Sequence, residues 1–190
     1  MDPVEVAAVL FGIVSVYLSV RENILSWPTA IVNVGLYTVV FYRAKLYADM
    51  GLQVFYLGVS FYGWWAWLHG GRDRGALQVT RTPRPWLVGL AAAGLVFSLA
   101  LGAFLRRATD AALPFLDSAL SSYSIVAQVM MTRKWLENWA LWIALDVVYV
   151  GMFVFKRLYL TAGLYTVFLA LAAMGLAEWR RSLRAAVAAA

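Results

Sequence analysis

The sequence contains no cysteine and only one histidine, and charged residues make up just 14% of the chain. Without cysteine, disulfides and thiolate metal sites are excluded, and cysteine usage cannot indicate the compartment. His69 has no cysteine to pair with, while Asp117 and Asp146 lack the Gly-x-Gly-Asp context of intramembrane aspartyl proteases. All three lysines lie at loops, which disfavours a buried Schiff base. We therefore expect neither an enzyme nor a cofactor or metal site.

The scarcity of charge leaves long apolar runs. Apolar residues make up 63% of the sequence and the mean hydropathy is +0.73, whereas soluble domains are roughly 45 to 50% apolar. Charged residues occur in short clusters between these runs, as they do in loops between membrane spans. This composition predicts a protein surrounded by the lipid bilayer. It also makes nucleic-acid binding a poor explanation of the net charge of +6.

Seven apolar segments approach the length of about 20 residues that a helix needs to cross a bilayer core about 30 Å thick. The predicted spans are residues 4–20, 26–42, 51–69, 86–105, 113–131, 138–155 and 158–179. The first run has no basic segment before it and no small-residue cleavage site after it, so we expect it to remain as a membrane helix. The sequence thus predicts an all-α membrane protein with seven transmembrane helices.

A helical pattern occurs twice along the chain. Glu22, Asn23 and Trp27 match Glu137, Asn138 and Trp142 at an offset of 115 residues, and Gly63 and Trp67 match Gly175 and Trp179 at an offset of 112. Parallel duplication of a helix bundle is typical of transporters. The predicted organisation is a three-helix repeat (1–69), a cytoplasmic loop (70–85), a linker helix (86–105), a second three-helix repeat (113–179) and a cytoplasmic tail (180–190).

Basic residues in the connecting segments predict the orientation, because Lys and Arg are retained on the cytoplasmic side. An N-terminus outside places ten of the sixteen basic residues in the cytoplasm. Those ten are Arg21, Arg72, Arg74, Arg81, Arg84, Arg133, Lys134, Arg180, Arg181 and Arg184. We therefore expect the C-terminus in the cytoplasm.

Polar side chains inside the spans are costly, so their positions are functional clues. The sixth span has a stripe with spacings of three and four residues, which lies on one helical face: Trp135, Asn138, Trp142, Asp146 and Tyr149. Indoles stack on flat heterocycles, an amide pairs with their edges, and a carboxylate beside aromatic rings suits a delocalised cation. The alternatives are packing for Trp142 and a bond to a neighbouring helix for Asp146.

Other spans carry related groups. The second span offers Trp27, Asn33 and Tyr37, where Asn33 either lines a cavity or bridges two helices. Gln53 in the third span is a candidate gate or ligand contact. Ser124 and Gln128 in the fifth span lie one helical turn apart, and a buried primary amide needs several partners. These residues complete the predicted substrate site.

Several motifs resemble the Pnu family of vitamin transporters. In the second half these are Ser-Ile-Val-Ala-Gln at 124–128, Met-Thr-Arg-Lys-Trp-Leu-Glu-Asn-Trp at 131–139 and Leu-Tyr-Leu-Thr-Ala at 158–162. In the first half they are Glu22-Asn23, Trp27-Pro28, Lys45-Leu46-Tyr47-Ala48-Asp49, Leu52-Gln53 and Tyr62-Gly63-Trp64. The resemblance runs from Arg21 to Trp179.

The resemblance implies seven helices arranged like the SWEET sugar transporters, a homotrimer, and facilitated diffusion of a vitamin across the bacterial inner membrane. It implies no coupling ion, and trapping of the product by a separate cytoplasmic kinase. Its substrate contacts fall on the helix of Trp135, Asn138, Trp142 and Asp146, with Gln128 adjacent and Asn33, Tyr37 and Gln53 opposite. Nicotinamide riboside is the favoured substrate, followed by thiamine and then riboflavin. A receptor or structural membrane protein is the alternative from another class.

Overall fold

A computed structural model describes residues 3–43, 45, 47–108 and 113–188. This part of the chain forms seven long α-helices, which confirms the helical prediction. They are α1 (Pro3–Val20), α2 (Ser26–Arg43), α3 (Tyr47–His69), α4 (Arg84–Ala108), α5 (Pro114–Thr132), α6 (Glu137–Phe155) and α7 (Tyr159–Ala188). Helix α7 continues well past residue 179, so the segment predicted as a tail is largely helical where it is described.

Four of the described helices are long and apolar enough to cross a membrane by composition: α1, α4, α6 and α7. The other three are of similar length but carry more polar residues. Helix α5 shows the reason, because Ser118, Ser122, Ser124 and Thr132 on it are all buried, and the helix packs against α3, α4 and α6. Polar groups at membrane depth are accommodated where protein covers them. A lower hydropathy here indicates an interior position.

Tight turns link the helices at equivalent places in the two halves. Glu22 after α1 and Lys134 after α5 both have left-handed backbones, with φ of 53° and 49°. Lys45 after α2 and Arg157 after α6 do the same, with φ of 58° and 59°. Such residues end a helix sharply by turning the chain out of the helical path. Both pairs are separated by 112 residues.

The same offset relates the tightest packing in the bundle. Trp27 packs edge-on against Trp67, and Trp139 against Trp179, each with ring centroids 5.4 Å apart and an interplanar angle of 88°. The predicted equivalence of Trp27 with Trp142 is therefore wrong, since Trp139 occupies the matching position. The contacts between the halves match as well, because α1 packs on α7 and α3 packs on α5. Helix α4 packs mainly on α5.

The loop between α3 and α4 is more ordered than its polar composition predicts. Residues 77–82 cross the turn between α5 and α6, and we call this segment the strap. Thr80 N–H donates to the Lys134 carbonyl at 3.1 Å, and Leu136 N–H donates to the Thr80 carbonyl at 2.9 Å. The Glu137 carboxylate accepts bonds from the Thr82 N–H and hydroxyl, both at 2.8 Å. The strap thereby covers one end of the bundle, which we call the strap end.

Glycine is required where a helix meets an indole ring. A Cβ at Gly175 would overlap the Trp139 ring, whereas a Cβ at Gly163 on the same helix meets nothing within 4 Å. We expect Gly175→Ala to lower the stability of the detergent-solubilised protein by about 1–3 kcal/mol through overpacking. Gly163→Ala is the matched control and should melt like the wild type. Thermal unfolding measures both, and equal melting of the two variants would contradict the packing described here.

Candidate functional site

Four buried tryptophans close the interior at the strap end. We call Trp27, Trp67, Trp139 and Trp179 the tryptophan quartet, and each is at most 3% exposed. The Trp67 and Trp179 rings lie 6.0 Å apart and join the two edge-on pairs. Trp67 Nε1 donates to the Met131 carbonyl at 3.1 Å, and Trp179 Nε1 donates to the Ser19 carbonyl at 3.0 Å. Each half of the chain thus uses its last tryptophan to bind the end of the other half's first helix.

An ion pair joins the two halves beside the quartet. Lys134 Nζ lies 3.1 Å from the Glu22 carboxylate and 4.5 Å from the centroid of the Trp67 ring. The Lys134 side chain is 8% exposed, so its charge is largely withdrawn from water. Such a charge needs a partner that compensates for lost hydration. Because Glu22 and Lys134 are equivalent residues, the pair sits where the two halves meet.

A cluster of aromatic and hydroxyl groups occupies the middle of the bundle. We call Tyr37, Tyr56, Tyr149 and Tyr165 the tyrosine cluster. The Tyr165 hydroxyl is within electrostatic range of the other three, and the Tyr149 and Tyr165 ring centroids are 4.7 Å apart. These four side chains come from α2, α3, α6 and α7. The cluster therefore draws on both halves of the chain.

Phenylalanines extend the cluster towards the end opposite the strap. Phe41 stacks on Tyr37 with centroids 5.8 Å apart, and Phe153 stacks on Tyr149 at 5.9 Å. Both stacks are formed by residues 112 positions apart. Phe153 also lies 5.0 Å from Tyr165. The interior here is walled by rings with hydroxyl groups between them.

Asp146 supplies a negative charge to this interior. It is 4% exposed and is within electrostatic range of the hydroxyls of Tyr149 and Tyr165. No ion pair joins it to a lysine or arginine among the described residues. A buried carboxylate without a cationic partner is costly. A bound cation would offset that cost.

The predicted residues divide into those at the tyrosine cluster and those elsewhere. Tyr37 and Tyr149 belong to the cluster, Asp146 adjoins it, and the buried Ser124 hydroxyl bonds Tyr149. Trp142 is partly buried and packs between the quartet and the apolar core shared by α5 and α6. Gln53 and Gln128 are half-buried on α3 and α5. The structure brings these helices together, as the sequence predicted.

The remaining predicted residues have other neighbours. Trp135 precedes α6 and packs on Trp86, with centroids 5.9 Å apart, outside the tyrosine cluster. Asn138 is fully buried and donates to the Trp135 carbonyl at 2.6 Å. Trp27 lies within the quartet. Asn33 Nδ2 donates to the Ala8 carbonyl at 2.7 Å, so Asn33 bridges α1 and α2.

Two members of the cluster were not among the predicted site residues. Tyr56 lies on the same face of α3 as Gln53, and Tyr165 lies in α7, for which no contact was predicted. The repeat offered a signal for Tyr165, because adding 112 to the position of Gln53 gives 165. Applying the offset to every candidate would have found it.

The arrangement suits binding of a flat, positively charged ring. Tyrosine faces attract delocalised cations, hydroxyl groups bond polar substituents, and Asp146 adds the opposite charge. No group of three or more acidic or histidine side chains that could hold a metal ion occurs in the described residues. The site offers binding groups without an arrangement for metal-assisted chemistry.

Apolar spanning helices around a polar, aromatic interior define a multi-pass membrane protein of the transporter class. The chain belongs to the nicotinamide mononucleotide transporter family, whose family model matches residues 2–181. This match confirms the resemblance to the Pnu family. Since the family and its named members are transporters, the protein is a membrane transporter and not an enzyme.

Similar proteins include the nicotinamide riboside transporter PnuC of Escherichia coli K12, which is 31% identical over 95% of this chain and 86% of its own length. The riboflavin/roseoflavin transporter RibM of Streptomyces davaonensis is 26% identical over 90% of this chain and 81% of its own length. A crystal structure of the vitamin B3 transporter PnuC has a TM-score of 0.73 and 27% identity, covering 95% of this chain and 82% of that one.

The ion pair between the halves gives a test of how the strap end is held. Glu22→Gln leaves the buried Lys134 ammonium without its carboxylate, and we expect a loss of about 1–3 kcal/mol in stability. Glu178→Gln is the control, because the pair of Glu178 with Arg181 is exposed and should contribute less than about 1 kcal/mol. Thermal unfolding at low salt measures both. Similar small losses in the two variants would contradict the structural role of Glu22.

Proposed function

We propose that this protein carries nicotinamide riboside across the bacterial inner membrane by facilitated diffusion. The observation that carries the proposal is the unpaired Asp146 carboxylate beside the tyrosine cluster in the middle of the bundle. Nicotinamide riboside has a flat pyridinium ring, so aromatic faces and a carboxylate complement its shape and charge. The 31% identity with a protein named as a transporter of this compound supports the same substrate.

The charge of the site favours the riboside over the mononucleotide named in the family description. A phosphate group binds to lysine, arginine or clustered backbone N–H groups. In the described residues, every Lys and Arg lies in or near a loop or helix end, except those in the C-terminal part of α7 beyond the quartet. Asp146 would repel a phosphate. Thiamine, also cationic, is the second candidate, and neutral riboflavin is the third.

The substrate contacts we propose are the side chains that adjoin the cluster. Asp146 pairs with the ring cation, Tyr37, Tyr149 and Trp142 provide aromatic surfaces, and Ser124 helps to orient Tyr149. Gln128 and Gln53 bond the carboxamide or ribose. Asn138, Asn33, Trp135 and Trp27 support the site through the contacts described above, and Trp27 does so within the closed end.

The proposed architecture has all seven helices spanning the membrane as two parallel three-helix repeats joined by α4, as in SWEET transporters. The matching contacts 112 residues apart support this arrangement. The excess of basic residues at the strap end places that end in the cytoplasm, with the N-terminus outside. We further propose a homotrimer, and trapping of the product by a separate cytoplasmic kinase.

Transport without a coupling ion gives the first functional test. Vesicles reconstituted with the purified protein should take up labelled nicotinamide riboside until the internal and external concentrations are equal. Ionophores that abolish sodium and proton gradients should leave the rate unchanged. Empty vesicles are the control. Binding without uptake would favour a receptor, and accumulation above the external concentration would contradict facilitated diffusion.

The role of Asp146 gives the second test. Asp146→Asn keeps the size of the side chain and removes its charge, so we expect affinity for nicotinamide riboside to fall about 10- to 100-fold, as for loss of a charge-assisted contact. Affinity for neutral riboflavin, if it is measurable, should change less. Calorimetry on the purified protein measures both, with Asp117→Asn at the start of α5 as the control. An unchanged affinity for the riboside in a folded Asp146→Asn protein would contradict the proposed contact.

A further inference from the structure

A crevice on the outside of the bundle belongs to neither the tyrosine cluster nor the tryptophan quartet. Helices α3 and α4 each pack on α5, and the crevice lies in the gap between them, with a volume of about 500 Å³. Its apolar walls include Val54, Phe55 and Val59 of α3 and Val129 of α5. Val54 and Phe55 are 53% and 45% exposed, so the crevice opens to the surroundings of the bundle.

One end of the crevice carries aromatic rings and a cation. Trp86 and Trp135 pack together there, and the Arg133 guanidinium lies 5.6 Å from the centroid of the Tyr62 ring. Trp and Tyr rings concentrate where the hydrocarbon meets the headgroups. Arg133 immediately follows the last residue of α5, so this end lies at the membrane surface on the strap side. The rest of the crevice lies deeper.

The positive charge at this end has no acidic partner in the described part of the chain. Arg133 is exposed, and the ion pairs found there involve Arg81, Lys134 and Arg181 instead. Arg84, at the first residue of α4, is also exposed and adds a second positive charge two residues from Trp86. The local potential therefore favours a ligand with net negative charge.

The depth of the crevice matches one leaflet. From Tyr62 to Val54, α3 rises about 12 Å at 1.5 Å per residue, and half of the hydrocarbon core is about 15 Å. A chain lying along this part of α3 would run from the headgroup level nearly to the midplane. Gly58 lies in the middle of this wall, where an added Cβ would meet nothing within 4 Å. The wall thus leaves room for a ligand of narrow cross-section.

We propose that the crevice binds one anionic phospholipid of the leaflet at the strap end. The phosphate pairs with the Arg133 guanidinium, whose planar fork matches phosphate oxygens, and one acyl chain lies along Val54, Gly58 and Val59. The rings of Trp86 and Trp135 flank the glycerol region. This site is separate from the proposed substrate site, so the two proposals stand or fall independently.

Native mass spectrometry of the purified full-length protein tests the charge recognition. With equal amounts of dioleoyl phosphatidylglycerol and dioleoyl phosphatidylcholine, the wild type should retain one phosphatidylglycerol per chain in preference. Arg133→Gln should reduce that retention about tenfold, as expected for loss of an arginine–phosphate contact. Arg107→Gln, at the other end of α4, is the matched control and should bind like the wild type. Equal retention by the two variants, or no preference for phosphatidylglycerol in the wild type, would overturn the proposal.

Filling the crevice tests the acyl-chain contact. Gly58→Leu places a side chain in the open space without a clash, so its melting temperature should stay within that of the control while lipid retention falls severalfold. Gly89→Leu on α4 is the control, because Gly89 also has open space around its Cβ but does not line the crevice. Unchanged lipid retention in Gly58→Leu would overturn the proposal. So would a Gly58→Leu protein whose oligomeric mass changes, because a second copy would then be the occupant.

Discussion

The absence of water in the hydrocarbon core is the constraint on which this structure depends. A polar group there must find a partner within the protein, and the bundle provides partners by crossing from one half of the chain to the other. Trp67 and Trp179 each reach a backbone carbonyl of the opposite half, and Lys134 reaches Glu22. These bonds are therefore both the satisfaction of buried groups and the means by which the halves are held together.

The same economy explains why one end of the pathway is closed. Glycines at 63 and 175 let indole rings approach the helices closely, and the strap covers the turn before α6. Passage of a vitamin through this end requires the quartet to separate, because its rings leave no opening. The polar groups of the tyrosine cluster lie on the other side of this barrier, where a ligand entering from the opposite end would meet them.

Much of the architecture followed from the sequence because hydrophobic length and residue spacing are local properties. Seven helices were predicted near their observed bounds, and the convergence of Tyr37, Ser124, Asp146 and Tyr149 followed from polar residues that had to avoid lipid. The strap was missed, since its order comes from bonds with Glu137 and the turn at Lys134, which are distant in sequence. Trp135 was assigned to the interior stripe, but the helix begins only after it.

The pairing of the repeats shows where sequence reasoning ended. The motif Glu-Asn-x-x-x-Trp recurs at 115 residues and drew attention to Trp142 as the counterpart of Trp27. The structure obeys an offset of 112 throughout, because the backbone turns at Glu22 and Lys134 set the register of the helices that follow. A three-dimensional constraint thus outweighed a matching string of letters.

The central claim is that the tyrosine cluster and Asp146 hold the ring of a cationic vitamin in the middle of the bundle. A structure of the protein with nicotinamide riboside bound tests it most directly. The account predicts the pyridinium ring in contact with Tyr149 and Trp142 and close to the Asp146 carboxylate. A riboside bound at a helix end or on the outer surface of the bundle, with Asp146 paired to a protein side chain, would contradict it.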